Sequence, residues 1–214
     1  MTHNHKIAAL RRDYSHSELL ETDVDLDPIK QFRTWFDQAM DSLVTEPNAM
    51  CLSTVCNNRP DSRIVLLKGI HDDGFVFFTN YHSSKGQEIA ENHFVSLNFA
   101  WLEIERQVRI QGIAKKVSAE ESDAYFYSRP HESQVGAIVS AQSQHLKSRE
   151  ELEKAMTEAL SRYEREKPVR PEHWGGYIVQ PDMLEFWQGR VSRLHDRLRY
   201  ELVDGQWVLS RLYP

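Results

Sequence analysis

Five short β-like runs crowd into residues 49–117: "AMCLSTV", "RIVLLKGI", "GFVFFTN", "FVSLNFAW" and "RQVRIQGIAKKV". Each is strand-sized, and the breaks between them carry turn chemistry, notably "NNRPDS" and "HDDG". So many consecutive strands would leave exposed edges. Closure removes edges, so the spacing predicts a closed or nearly closed antiparallel barrel. After Pro168 and Pro171 the pattern resumes in "WGGYIVQ", "MLEFWQG", "RLHDRLRYEL" and "QWVLSRLYP", so the chain returns to the sheet. Helical segments interrupt the strands without alternating regularly with them, which argues against a parallel α/β sheet. The fold class expected is mixed α+β, mainly β, with a barrel core and peripheral helices.

The helical segments carry local signals. Asp27-Pro28 supplies an N-cap before proline at the first helical position, and Ile29, Phe32, Phe36, Met40 and Leu43 recur at helical spacing. They predict a helix from about 28 to about 45. "SSKGQEIAEN" reads as a short helix, and Ser118 with Glu121 fits a capping box at the head of "SAEESDAYFYS". Residues 148–167 are highly charged, with Leu152, Met156, Ala159, Leu160 and Tyr163 on one stripe: a surface helix with a single apolar seam. Residues 1–26 are polar, include the acidic patch "ETDVDLD", and read as an arm that is mobile unless a ligand or partner orders it. Residues 27–214 read as one domain.

Composition narrows the function classes. The longest apolar runs, such as "IVLL" and "FVFF", fall far short of the roughly 20 residues of a membrane-spanning helix. The amino terminus lacks a secretory apolar core, so a soluble cytoplasmic protein is expected. Cys51 and Cys56 do not match the usual zinc spacings and read as reduced thiols. His3 and His5 read as a tail rather than a metal site, and no metal is expected. A formal net charge of −6 argues against sequence-independent nucleic-acid binding. Local basic clusters must then serve something small.

Several such clusters exist. In "RLHDRLR", strand periodicity puts Arg193, His195, Arg197 and Arg199 on one face, which is either a site or an edge strand defended by charge. Flanking Trp187 and Tyr200 favour a pocket for a planar anionic ligand. Arg63 and Lys68 bracket an apolar run and, if it is extended, lie about 17 Å apart on opposite faces. They serve different ligands or simply mark strand ends. Ser83, Ser84, Lys85 and Gly86 stand at a helix start, where free backbone N–H groups favour an anion. Tyr125, Arg129 and Ser133 surround a helix boundary at Pro130, and "SAQSQ" adds Gln142 and Ser143; all are suited to phosphate oxygens. The set suggests more than one bound phosphate. No G-x-S-x-G, H-E-x-x-H or C-x-x-C is present.

Taken in order, "RIVLLK", "ERQV", "YFYSRP", "ESQVGA", "QSQ", "WGGY" and "EFWQG" followed by "RLHDR" resemble the pyridoxine (pyridoxamine) 5′-phosphate oxidase family over nearly the whole chain. The resemblance implies a homodimer with a split β-barrel fold and FMN in clefts at the subunit interface. It also implies oxidation of pyridoxine 5′-phosphate or pyridoxamine 5′-phosphate to pyridoxal 5′-phosphate, by hydride transfer from C4′ to flavin N5 and reduction of O₂ to hydrogen peroxide. Carried over, Arg63 to Lys68 (Ile64, Val65, Leu66 and Leu67 between them), Phe78, Thr79, Ser84 and Lys85 would contact FMN. Gln107, Gln142, Ser143, Trp187 and Arg197 would complete that set. Lys68, Tyr125, Arg129 and Ser133 would hold the substrate phosphate. Arg193, Leu194 and His195 would address the substrate ring, with Arg193 and His195 catalytic, and Arg11, Arg12, Asp13 and Tyr14 would close over it. Arg190 and Arg199 receive no role. The family often carries a basic residue at the position of Ser84 and Tyr at that of Phe78. A split-barrel flavin reductase or dehydrogenase, and a non-catalytic carrier of FMN or pyridoxal 5′-phosphate, are the rival readings.

Overall fold

The computed structural model describes residues 4, 7, 14 and 17–214. Arg11, Arg12, Asp13, His3 and His5 lie outside the described residues. Five α-helices are described: α1 (Pro28–Asp41), α2 (Ser84–Glu91), α3 (Ala119–Ser128), α4 (His131–Val139) and α5 (Arg149–Tyr163). Nine strands form one sheet: β1 (Ala49–Cys56), β2 (Arg59–Leu66), β3 (Gly69–His71), β4 (Gly74–Asn80), β5 (Phe94–Trp101), β6 (Arg106–Lys116), β7 (Trp174–Gln188), β8 (Asp196–Val203) and β9 (Gln206–Arg211). Their order is β2-β1-β5-β6-β7-β4-β3, with β8 on β7 and β9 on β8.

Of the expected closed or nearly closed barrel, full closure is not found: among the described residues the main order ends at β2 and β3, and the branch through β8 ends at β9. The β2 edge is blunted instead by the charged and exposed Arg59 and Asp61, so pairing with another edge is discouraged without closing a barrel. A second correction concerns "WGGYIVQ" and "MLEFWQG", which are one strand, β7. Pro181 is tolerated because β4 pairs with Trp174–Val179 and β8 with Met183–Gln188, leaving Pro181 between the two registers.

By internal contacts the chain groups into two compact units. The first, Asn48–Leu97 with Gln111–Asp182, is built on the β1–β2 hairpin. Its turn residues Asn57 (φ 50°) and Asn58 (φ 58°) are both left-handed, as a two-residue hairpin loop requires. Leu52, Phe75, Phe77, Leu97 and Val179 are fully buried here. Of the capping box the Ser118 half is present: its Oγ accepts the Glu121 N–H at 3.0 Å, while the Glu121 carboxylate lies 3.3 Å from His71 Nε2. Helix α5 has its apolar seam half-buried and no fully buried residue.

The second unit comprises Met1–Pro47, Asn98–Ile110 and Met183–Pro214. Asp27 caps α1 by accepting the N–H groups of Ile29 and Lys30, and Phe32 packs on Phe99 at 5.0 Å. Trp35 packs edge-on to Phe186 at 5.1 Å. The buried stripe is Ile29, Phe32, Trp35 and Ala39; Met40 is exposed, and α1 stops at Asp41, short of the expected end. The stop is a Schellman arrangement in which Val44 N–H donates to Ala39 O and Leu43 N–H to Met40 O. This places Leu43, 87% exposed, at φ 55° where glycine is the favoured residue. Leu43→Gly is therefore expected to raise the unfolding free energy by about 1 kcal/mol, since relief of left-handed strain exceeds the extra chain entropy of glycine. A lower urea midpoint for the variant would contradict this.

Candidate functional site: a cationic cavity and an aromatic corner

A cavity of 840 Å³ opens in the first unit between β2, β4, the start of α2 and the α3–α4 junction. Arg63, Ile64, Val65 and Leu66 line one side, with Phe78, Thr79, Lys85 and Gln142 across it and Tyr125, Arg129 and Ser133 from the junction. Arg63 and Lys68 face the same cavity, not opposite ones. The strand ends at Leu66, Leu67 turns into the core, and Lys68 N–H pairs with Val76 O, so the alternation assumed for an unbroken strand is lost.

The cations differ in how they are held. Arg63 donates to Thr54 Oγ1, and its Nη2 reaches Asp61 at 2.7 Å and Glu88 at 2.8 Å. Lys85 is 8% exposed, and among the described residues its Nζ donates only a long 3.4 Å bond to Gln142 Oε1, which also accepts from Thr79. Burial first, then the Arg63 charge, hold the Lys85 ammonium below its ordinary pKa. Arg129 lies 4.8 Å over the Trp174 ring, and its buried Nη1 has no hydrogen-bond partner among the described residues. A buried guanidinium nitrogen without an acceptor is costly, and an anion in the cavity would satisfy it.

The apolar wall is a layered stack. Phe78 and Tyr125 lie 3.9 Å apart at 21°, and Trp174 lies nearly parallel to both. Gly176 makes room for it, since a Cβ there would come within 2.8 Å of the Phe78 ring. Arg129 and Pro130 form the junction between α3 and α4, and Gln134 Nε2 fixes it by donating to Arg129 O at 2.8 Å.

The second unit carries an aromatic corner. Tyr14 packs edge-on to Trp187 (5.7 Å) and His195 (5.6 Å), while Trp187 and His195 lie 4.6 Å apart. Tyr14, Trp187, Gln107 and Arg106 line a cavity of 470 Å³. His195 Nδ1 accepts the Arg190 N–H at 3.0 Å, leaving Nε2 as the outward donor of the neutral ring. Burial, then Arg193, lower the His195 pKa, with Asp196 opposing them, so the neutral form is favoured.

The shared strand face expected for Arg193, His195, Arg197 and Arg199 is not found. Ser192 (φ 57°) and Arg193 (φ 63°) are left-handed, β8 begins at Asp196, and only Arg197 and Arg199 belong to the strand. Both turn to Glu185 on β7, which is 1% exposed: Arg197 at 2.8 Å, Arg199 at 3.2 Å, and Arg109 from β6 at 3.6 Å. Glu185 escaped the sequence reading, although a lone carboxylate within "MLEFW" was the available signal. Trp174, inside "WGGY", was missed in the same way. Of the other expected residues, Ser84 is exposed at the first position of α2, Ser143 is exposed at φ 68°, and Arg193 and Leu194 are exposed.

Two family regions match the sequence: pyridoxamine 5′-phosphate oxidase over residues 36–163, and the pyridoxine 5′-phosphate oxidase C-terminal dimerisation region over residues 174–214. The chain belongs to the pyridoxine/pyridoxamine 5′-phosphate oxidase family. Among its oxidase relatives, the pyridoxine/pyridoxamine 5′-phosphate oxidase of Paraburkholderia phytofirmans is 53% identical over 97% of this chain and 99% of the relative. That of Nostoc punctiforme is 54% identical over 97% and 98%. In structure, PhzG from Burkholderia lata, solved with tetrahydrophenazine-1-carboxylic acid, superposes with a TM-score of 0.88 at 31% identity over 94% of this chain and all of that one. A pyridoxamine 5′-phosphate oxidase-related, FMN-binding protein of Nostoc punctiforme shares the split-barrel fold, with a TM-score of 0.70 at 17% identity over 89% of this chain and all of that one. Among the described residues, no helix of this oxidase-family chain is long and apolar enough to cross a membrane.

Proposed function

We propose that the chain oxidises pyridoxine 5′-phosphate or pyridoxamine 5′-phosphate to pyridoxal 5′-phosphate, with FMN as cofactor and O₂ as acceptor, as a homodimer. The observation that carries this reading is the cavity in which buried Lys85 and half-buried Arg129 make no ion pair among the described residues, while an aromatic stack forms the wall. Its donor set fits phosphorylated, planar ligands, and its volume falls within the usual range for small-molecule sites. The oxidase relatives at about half identity support the substrate class.

FMN, when bound, would accept a hydride from the substrate C4′ at N5 and return the electrons to O₂ as hydrogen peroxide. The chain's own residues bind and orient. Arg63, steadied by Thr54 and Glu88, would hold the cofactor phosphate with Lys85 and Ser84, while Gln142 and Ser143 would meet its ribityl chain. Residues 64–67, Phe78, Thr79, Gln107, Trp187 and Arg197 would bound the ring. Lys68, Tyr125, Arg129 and Ser133 would grip the substrate phosphate, fixing a reactive orientation worth several kcal/mol. Arg193 would place the substrate ring with Leu194 beside it, His195 would donate from Nε2, and Arg11 to Tyr14 would close the site.

A yellow, FMN-loaded preparation mixed aerobically with pyridoxine 5′-phosphate should yield aldehyde and peroxide in equal amounts. Arg193→Leu should lower turnover by about 10²-fold with flavin content unchanged. Loaded protein that leaves both B6 phosphates untouched would refute the reading. The likeness to PhzG favours one second reading, dehydrogenation of a reduced phenazine carboxylic acid. Turnover of such a compound in place of the B6 phosphates would establish it.

A further inference from the structure

Residues 17–21 are fastened to the C-terminal strands of their unit by polar contacts that the reaction scheme does not use. Arg211 grips Glu21 through two parallel bonds of 2.7 Å, donates to Leu19 O at 2.8 Å and reaches Asp196 Oδ1 at 2.7 Å. The other Asp196 oxygen accepts the Leu19 N–H at 3.2 Å. Arg190 donates to Ser17 O at 3.3 Å, pairs with Glu18 at 3.1 Å and stands 3.8 Å from Asp196. Ser17 Oγ donates to Gln188 Oε1 at 3.1 Å, which Arg106 also engages at 2.8 Å.

These contacts converge on the aromatic corner. Asp196 follows His195 directly, and the Arg190 N–H is the group that fixes the His195 ring. Tyr14 lies three residues before Ser17 and sits against Gly189, where any Cβ would come within 2.8 Å of its ring. Isolated surface ion pairs contribute little, but here a bidentate pair, a backbone anchor and the buried Leu19 side chain act on one five-residue segment.

We infer that Arg190, Asp196 and Arg211 are positioning residues that latch residues 17–21 beside the loop bearing Arg193 and His195, and so hold Tyr14 in its packing against Trp187 and His195. The inference rests on the oxidase reading only for what the corner binds; the latch is a property of the chain. It also gives Arg190 a role that sequence reading left open.

The test uses full-length, FMN-loaded protein carrying Asp196→Asn or Arg190→Gln, with Glu21→Gln as an exposed alternative should Asp196→Asn fail to fold. Amide exchange of the peptide spanning residues 17–23 is read alongside steady-state kinetics with pyridoxine 5′-phosphate and FMN affinity. Faster exchange is expected, with KM raised about tenfold, kcat within about twofold and FMN affinity unchanged, the pattern of lost binding rather than lost chemistry. Unchanged exchange would overturn the latch. Faster exchange with unchanged KM, or with parallel loss of FMN, would overturn its positioning role. If the unaltered protein fails to turn over pyridoxine 5′-phosphate, the oxidase reading falls, while the exchange measurement still decides whether the latch exists.

Discussion

Glu185→Ala is expected to lower the unfolding free energy by about 3–5 kcal/mol, the range for removing one partner of a buried ion pair. Glu185 is the one carboxylate shared by Arg197, Arg199 and Arg109, and it is almost fully buried. Its loss would leave the guanidinium groups with only the more distant Glu201, 3.8 Å from Arg199, as counter-charge, in a setting where Arg199 Nε already lacks a hydrogen-bond partner among the described residues. Because Arg197 and Arg199 keep roughly a quarter of their side chains in contact with water, solvent relieves part of this cost and the lower half of the range is expected. Glu185→Gln should cost less, since one oxygen can still accept from Arg197. Denaturant unfolding of the two variants checks the order, and an alanine variant as stable as the parent would show that the arginines do not depend on this carboxylate.

Arg129→Ala should have the opposite profile. On the proposed reading it lowers kcat/KM for the B6 phosphates by about 10²-fold, the scale of losing charge-assisted bonds to one phosphate. Stability should hold or rise, because the substitution removes a buried, unpaired Nη1. Arg129→Lys should recover only part of the activity, since an ammonium keeps the charge but loses the planar fork and the same stacking over Trp174. Kinetics and thermal melts on the same preparations separate the two terms. Loss of stability with kcat/KM intact would mean that Arg129 is a structural residue.

Features set by neighbouring residues were readable from the sequence; features set by backbone breaks were not. The Asp27-Pro28 start of α1 and the Ser118 N-cap depend on atoms a few residues apart, and both are present. The end of α1 was placed too late because Leu43 continues the apolar spacing while its backbone is already left-handed. Arg63 and Lys68 were assigned to opposite faces because nothing in "RIVLLKGI" marks the end of β2 at Leu66. In "RVSRLHDR" the left-handed residues are Ser and Arg, not Gly or Asn, so period-two alternation looked intact where the strand had not begun. Closure of the sheet was inferred from the cost of free edges, but charge on β2 meets that cost in another way. The ordered family motifs carried the family assignment, which none of these local rules reaches.

The distribution of charge around the first unit's cavity also bears on how a ligand arrives. With a formal net charge of −6, the chain as a whole repels a phosphate monoester at long range. Attraction sets in only close to the cavity that Lys68, Lys85 and Arg129 line, within a screening distance of about 8 Å at physiological ionic strength. Encounter is then a matter of local capture after largely unguided diffusion, and added salt should slow association far less than it would for a protein whose whole surface draws in its ligand.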